Sequence, residues 1–351
     1  MLLKEVEVRR GVASWIGPLM GSAIGLGLMA VGAGTLYQAL SEAQEQRRYP
    51  PPGTLADVGG HRLHYLDMGK GGPTVILDSG LGCSMLDWCY IQPEVARFTR
   101  VCAYDRAGYG WSEPGPKPRS AQRIVDELLT LLTRANIPGP YILVGHSLGG
   151  LHMQLFARQH PELVAGVVLV DASPFDQRQR VPGPARKKWL LQQLRWQLFC
   201  WSSPLLARLG IVRIQKRLQR PKTGPSRYPS TVQPIAEALR LRSSAFDWTL
   251  GEARAIERSE AELRAAPAFP LVPLIVLAAG NSSSGTLQQL WLQLQTEQAQ
   301  LSPESSLRII NQSGHFIQIN QPTSVIQAIR DIVVMYEHRH SDKCTTRRYG
   351  P

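Results

Sequence analysis

The chain has 351 residues, of which 43% are hydrophobic, so it is long enough to bury one large core. Its formal net charge is +12. Its five cysteines are too few for a disulfide scaffold, and because their number is odd they cannot all pair with one another. The sequence contains no internal repeat and no cluster with the spacing of metal ligands, so we expect neither a metal nor a cofactor.

The N-terminal segment, residues 1–48, contains a long uncharged stretch. Residues 11–41 carry no charged side chain, whereas about twenty residues suffice to cross the hydrocarbon core as a helix. Gly17, Gly21 and Gly25 form a row of small residues suited to helix packing. A cleaved signal peptide is the alternative, but the apolar region is too long and no A-x-A site follows. We predict a retained single-pass transmembrane anchor at about residues 11–41, with the side of the catalytic domain left open.

From residue 49 onward, apolar segments alternate with helical patterns. Residues 54–58 and 62–66 flank a Gly-Gly turn and predict a hairpin. Apolar strands then begin near residues 74, 101, 141, 167, 274 and 307. Their alternation with helices is typical of a mostly parallel sheet covered by helices on both faces. We therefore predict an α/β domain over residues 49–338 and a polar C-terminal tail at residues 339–351.

A G-x-S-x-G sequence, Gly145-His146-Ser147-Leu148-Gly149, lies between the apolar run 141–144 and a helical pattern over residues 151–160. A serine between a buried strand and a helix sits on a tight turn, so its hydroxyl projects above the sheet edge. Ser147 is the predicted nucleophile, and an ordinary strand-to-helix turn is the alternative. An oxyanion hole needs two backbone N–H groups. We assign them to Leu148 and to Leu81, in the Gly-rich turn 79–82.

A serine hydroxyl is a weak nucleophile at neutral pH, so it needs an imidazole base and a carboxylate that orients the imidazole. His315 lies in a loop between a predicted strand and the last predicted helix, and is the predicted base; a loop histidine capping that helix is the alternative. The loop 279–284 contains no acid. Asp171 follows the strand 167–170, at an edge where ligands gather in open parallel sheets, and is assigned the orienting role over a loop-capping one.

With these motifs, residues 51–337 resemble the α/β-hydrolase superfamily, specifically its capped, single-domain esterase and lipase-like members. The loop 104–112, YDRAGYGWS, resembles the structural loop after the family's fourth strand. Two features depart from the family pattern: Ser79 replaces a histidine that many members have, and the acid has moved to Asp171, as in some dehalogenase and lipase relatives. Epoxide hydrolases and haloalkane dehalogenases of the superfamily attack with an aspartate, so Ser147 indicates acyl transfer to water.

A long insertion at about residues 174–268 is where the resemblance places a helical cap over the site. Residues 177–236 contain thirteen Lys and Arg and no Asp or Glu, which accounts for the whole charge excess. Five apolar residues of this insertion fall roughly on one helical face: Trp189, Leu190, Leu194, Leu198 and Trp201. Trp with Lys and Arg favours a membrane lipid surface over nucleic acid as the partner. The alternative is a cap helix packed on the site with solvated charges outside.

These features together predict a membrane-anchored serine hydrolase that cleaves an apolar acyl ester, such as a lipid, through an acyl-enzyme intermediate. The expected partners are a small-molecule acyl substrate and a lipid surface, with no nucleic acid. An amidase or peptidase on the same triad is one alternative, and a catalytically silent binding protein on the same fold is another. The oligomeric state is left open.

Overall fold

A computed structural model describes residues 2–219, 227–282 and 285–348, and side chains within 25–219, 227–282 and 285–341. The chain divides into two compact units. The smaller unit is Met1–Pro50 with Ser202–Thr223, and the larger is Pro51–Trp201 with Gly224–Pro351. The larger unit contains the sheet and every residue of the predicted site.

Within the described residues, eight strands form one sheet in the order β1-β2-β4-β3-β5-β6-β7-β8. Their bounds are β1 Thr54–Asp57, β2 Arg62–Met68, β3 Thr74–Asp78, β4 Val101–Tyr104, β5 Tyr141–His146, β6 Val164–Val170, β7 Leu274–Ala279 and β8 Ser305–Ile310. β2 runs antiparallel to its neighbours β1 and β4, and the other paired strands are parallel. The predicted hairpin and mostly parallel sheet are confirmed.

Twelve α-helices lie within the described residues, and those of the larger unit pack against both faces of this sheet. Their bounds are α1 Leu2–Arg48, α2 Gln92–Val95, α3 Ala121–Arg134, α4 Leu148–Gln159, α5 Gln177–Arg180, α6 Gly183–Arg208, α7 Ile211–Leu218, α8 Gln233–Arg240, α9 Ser243–Ala265, α10 Thr286–Ala299, α11 Ile317–Asn320 and α12 Pro322–Arg348. Two short 3-10 helices span Met85–Trp88 and Pro161–Leu163. The segment predicted as a cap therefore contains α5 to α9. The last helix, α12, continues into the segment predicted as a polar tail.

The central strands are buried on both faces because helices pack against each. In β5, Leu143 belongs to the core on one face, together with residues of α3 and α4. Ile142 and Val144 belong to the core on the opposite face, together with residues of α12. Successive strand side chains point to opposite faces, so a strand between two helix layers is apolar throughout. This packing fixes the carboxyl ends of the parallel strands, from which the site is built.

The cap helix α6 differs from the sequence-based expectation in one respect. Trp189 was predicted to share a face with Leu190 and Leu194, but Trp189 is half-buried, whereas the two leucines are each 52% exposed. Neighbouring helical residues point about 100° apart, so an apolar pair at i and i+1 serves two different faces. The prediction that Trp189 lies on the same face is therefore wrong.

In the smaller unit, the described part of α1 packs against α7. Arg213 of α7 donates to Gln38 at 3.0 Å and forms an ion pair with Glu45. Among the described residues, no helix combines the length and hydropathy needed to cross a bilayer. The side chains of residues 11–24, within the anchor predicted at about 11–41, lie outside the described residues. The part of the predicted anchor whose side chains are described, residues 25–41, contains fewer than the roughly twenty residues that a crossing requires. The predicted transmembrane anchor is therefore not confirmed.

Candidate active site

Ser147 lies on a strained turn between β5 and α4. Its backbone has φ 52° and ψ −120°, a conformation that costs a non-glycine residue about 1–3 kcal/mol. The two glycines of the motif make this turn possible. A Cβ at Gly145 would lie 2.5 Å from the Gly149 carbonyl oxygen, and a Cβ at Gly149 would lie 2.5 Å from that of Asp78. Small residues are therefore required on both sides of the serine.

His315 bridges Ser147 and Asp171. Its Nε2 is 2.9 Å from Ser147 Oγ, and its Nδ1 is 2.6 Å from Asp171 Oδ2. In the neutral tautomer with a proton on Nδ1, the ring donates to the carboxylate and accepts from the serine hydroxyl. The three residues follow β5, β6 and β8, whose carboxyl ends lie at one sheet edge. The structure thus brings together the three side chains that the sequence analysis assigned to catalysis.

Asp171 is fully buried and held by several donors besides His315. Its Oδ1 accepts from the backbone N–H of Ala279 at 2.8 Å and from the indole N–H of Trp291 at 2.7 Å. Its Oδ2 accepts from the hydroxyl of Ser282 at 3.0 Å. A buried carboxylate keeps one orientation when donors meet both of its oxygens. The loop after β7, which contains no acid in sequence, thus supplies donors to an acid on β6.

His146, inside the serine motif, holds the backbone of His315. Its Nε2–H donates to the carbonyl oxygen of His315 at 2.9 Å. Burial, and then the charge that His315 can carry, hold the pKa of His146 well below its ordinary value. His146 is therefore a neutral donor at physiological pH, and it fixes the loop from which the His315 side chain extends.

The two residues assigned to the oxyanion hole line the same cavity as Ser147. Leu148 is the first residue of α4, and the first N–H groups of a helix have no acceptor within that helix. Leu81 lies in the turn that follows β3. Both residues line the cavity together with Ser147. The structure therefore places the two backbone segments that the prediction requires at the nucleophile.

Buried Arg106, in the loop after β4, fixes the turn that contains Leu81. Its guanidinium donates to the carbonyl oxygens of Ser79 and Gly80 at 2.6 and 2.9 Å. It also donates to Asp78 at 2.7 Å and to both oxygens of Glu252, in α9, at 2.8 and 2.9 Å. Burial alone lowers the pKa of an arginine, but Glu252 and Asp78 outweigh it and hold the pKa of Arg106 well above its ordinary value. Arg106 thereby connects the cap to the turn.

A cavity of about 240 Å³ opens at Ser147 between the sheet edge and the cap. Its apolar lining comes from the sheet edge and from α4, α6 and α9: Leu81, Leu148, Leu151, Trp189, Trp196 and Ile256. Arg178 and Glu260 add charged groups to the lining, and burial raises the pKa of Glu260. Ser173, Gln177 and Gln193 also line the cavity, so its wall combines apolar side chains with polar and charged ones.

Sequence reasoning missed several of these residues. Asp78 ends β3, so the signal that identified Asp171, an acid at the carboxyl end of a strand, was present there too. Arg106 lies in a loop identified only as structural. Trp291 and Glu252 had no local signal, because each reaches the site from a helix distant in sequence. Within the described part of the chain, no group of three or more His, Cys, Asp or Glu is placed to hold a metal ion.

Comparisons with known proteins agree with this fold. An uncharacterized protein of Schizosaccharomyces pombe is 36% identical over 124 residues, which are 35% of this chain and 21% of that protein. An uncharacterized vacuolar membrane protein of Saccharomyces cerevisiae is 31% identical over 111 residues, 30% of this chain and 17% of that protein. The chain thus matches about a fifth of the length of these relatives.

Among solved structures, a thermophilic esterase from Thermogutta terrifontis superposes with a TM-score of 0.57 at 21% identity, covering 81% of this chain and 97% of that one. At this identity the likeness concerns the fold. The model of the alpha/beta hydrolase family matches residues 75–328. That match covers well over half of the sequence and confirms the resemblance noted from the motifs: the chain belongs to the alpha/beta hydrolase family.

Proposed function

We propose that the chain is a serine hydrolase that cleaves apolar acyl esters through an acyl-enzyme intermediate. The observation that carries the proposal is the relay from Ser147 Oγ to His315 at 2.9 Å and from His315 to Asp171 at 2.6 Å. These contacts occur beside a cavity whose lining is partly apolar. A nucleophile within reach of a base, and a base oriented by a third group, are the parts that acyl transfer needs.

In the first half-reaction, Nε2 of His315 removes the proton of the Ser147 hydroxyl while Oγ bonds to the ester carbonyl carbon. The carbonyl oxygen becomes an oxyanion and accepts from the N–H groups of Leu81 and Leu148. The bond from carbon to the leaving oxygen then breaks, and His315 returns its proton to that oxygen. Asp171 stabilises the imidazolium that exists between these two transfers.

In the second half-reaction, His315 removes a proton from water as the water oxygen bonds to the acyl carbon. The bond to Ser147 Oγ breaks, and His315 returns the proton to the serine. The free acid and the resting enzyme are the products. Each proton removed by the imidazole is given back, so the cycle requires no cofactor.

The cavity indicates the size of the acyl group. A cavity of 240 Å³ is smaller than the roughly 300–1,000 Å³ of sites that bury a drug-sized ligand. The aromatic side chains Trp189 and Trp196 and the aliphatic Ile256 are suited to a hydrocarbon chain. We therefore propose a substrate with a short to medium acyl chain, or one end of a longer chain that extends beyond the cavity.

A panel of p-nitrophenyl esters and matched anilides tests this proposal. We expect p-nitrophenol to be released in a burst equal to the enzyme concentration, followed by a slower steady rate, because acylation precedes deacylation. We expect esters with about four to eight acyl carbons to be preferred, and Ser147→Ala to abolish the burst. Faster cleavage of the anilides identifies an amidase, and no turnover of either series contradicts the proposal.

We also propose that the N-terminal helix attaches the chain to a membrane. Residues 11–41 carry no charge, and on the described part of α1, Leu26, Leu28 and Met29 are 63, 67 and 64% exposed. Large apolar side chains exposed on more than one side of a helix favour an apolar environment. After extraction with alkaline carbonate, which removes peripheral proteins, we expect the full chain to stay in the membrane pellet. Recovery in the supernatant contradicts the attachment.

A further inference from the structure

The cap helix α6 carries two apolar stripes on different sides. The inner stripe, formed by Trp189 and Trp196, lines the cavity at Ser147. The outer stripe consists of Leu190, Leu194 and Trp201, which are 52, 52 and 64% exposed. At 100° per residue the centres of the two stripes are separated by about 130° around the helix axis. The outer stripe thus lies on a side of the helix that does not line the cavity at Ser147, and the ring of its Trp201 lies 4.6 Å from the guanidinium of Arg254, in α9.

Within α6, basic side chains accompany the outer stripe and acidic ones do not; in α9, Glu257 lines the same surface cavity as Trp201 and pairs with Arg178 at 3.1 Å. Residues 183–201 belong to the larger unit and contain no Asp or Glu. Four cationic residues lie within this part of the helix: Arg186, Lys187, Lys188 and Arg195. Leu191, beside the stripe, is a further leucine that is 54% exposed. At 100° per residue, Arg186 and Lys187 lie within about 60° of the centre of the outer stripe, whereas Lys188 and Arg195 lie about 120–140° from it. The face with exposed leucine and tryptophan therefore carries two of these positive charges.

This combination identifies the chemistry of the partner. Large contiguous apolar patches are rare on soluble proteins and mark contact surfaces. A helix with Leu and Trp on one side and Lys and Arg beside them is the composition of helices that lie in a lipid interface. Nucleic acid offers phosphates to the cations but little for exposed leucines to contact. An anionic bilayer satisfies both, because headgroups bind the cations and acyl chains accept the leucines.

We propose that the outer stripe of α6 docks on an anionic lipid surface, so that the same helix that roofs the cavity rests on the bilayer that supplies the substrate. The proposal rests on the proposed function, because it identifies lipid esters as the substrate class of that site. Docking concentrates membrane-borne esters within one helix diameter of Ser147. It leaves the chemistry of a dissolved ester unchanged.

The test compares Leu190→Ser/Leu194→Ser with a matched control, Gln192→Ser/Gln197→Ser, which alters two exposed polar residues of the same helix. The full chain is assayed with a fluorogenic acyl ester, either dissolved or embedded in vesicles of phosphatidylcholine with or without phosphatidylglycerol. We expect the leucine variant to lose about tenfold or more of the rate in phosphatidylglycerol vesicles, from lost apolar contact, and less than about twofold with dissolved ester. The control should stay within about twofold in both assays.

A leucine variant that keeps the full vesicle rate, or a wild-type rate that is the same with and without phosphatidylglycerol, overturns the docking proposal. So does a dimer that the leucine variant converts to a monomer in sedimentation, because the stripe then binds a second copy. If wild type fails to hydrolyse even dissolved ester, the proposed function fails instead. Docking is then tested with vesicles of brominated phosphatidylglycerol, which quench tryptophan emission on contact. This quenching should be weaker in Trp201→Phe than in wild type, and equal quenching in both overturns the docking proposal.

Discussion

Replacing Asp171 with Asn tests the orientation of His315. Two N–H donors, from Ala279 and Trp291, meet Oδ1 of Asp171. An amide in this position must therefore turn its carbonyl oxygen toward them and its NH2 group toward His315. The NH2 group then donates to Nδ1, so the imidazole proton moves to Nε2. With a proton on Nε2, the ring has no lone pair with which to accept the proton of Ser147.

The expected loss of activity is large because Asp171→Asn keeps His315 in place but holds it in the tautomer with a proton on Nε2. We expect kcat for a dissolved p-nitrophenyl ester to fall about 10⁴-fold, which is a loss of about 5.4 kcal/mol of transition-state stabilisation. Asp176→Asn is the matched control, since Asp176 pairs with Arg180 at 3.3 Å and lies outside the relay. It should keep kcat within about twofold. An Asp171→Asn enzyme within about tenfold of wild type refutes the orienting role.

Three further predictions concern the surroundings of the relay. Arg106→Lys removes the guanidinium that holds the turn containing Leu81, so kcat should fall about 100-fold with little change in KM. Equal changes in kcat and KM contradict this positioning role. The pKa of His146 in the folded chain lies below its ordinary 6.5. As the pH is lowered just below 6.5, the His146 imidazole is therefore protonated in the unfolded chain but not in the folded one. In urea titrations, the free energy of unfolding should therefore fall by up to about 1.4 kcal/mol for each pH unit below 6.5. His146→Gln should remove this contribution to the dependence of unfolding free energy on pH. Burial raises the pKa of Cys89 to about 11 and that of Cys83 as well, so iodoacetamide at pH 7.5 should leave activity intact; inactivation would indicate a catalytic thiol.

The sequence predicted the sheet well because its parallel strands are buried on both faces and form unbroken apolar runs. β5 and β6, with Leu143 and Val168 among their buried residues, are examples. It also predicted that Ser147, Asp171 and His315 would meet, because each follows the carboxyl end of a strand. Parallel strands place these ends at one edge whatever the lengths of the connections between them.

Contacts made by helices distant in sequence were out of reach of this reasoning. Trp291 reaches Asp171 from α10, and Glu252 reaches Arg106 from α9, so both depend on how a helix packs. Neither position differs in its local pattern from an ordinary core or surface residue. The faces of α6 were misassigned for a related reason. When Trp189 and Leu190 are both apolar, periodicity alone does not show which one faces the core.

Covalent labelling tests the central claim most directly, namely that Ser147 is a nucleophile activated by His315. The full chain is treated with a fluorophosphonate, and the modified peptide is identified by mass spectrometry. We expect one adduct, on Ser147, that is absent in Ser147→Ala and forms at least about 100-fold more slowly in His315→Gln. An adduct on a different residue, or labelling of Ser147 at the same rate without His315, would contradict the account.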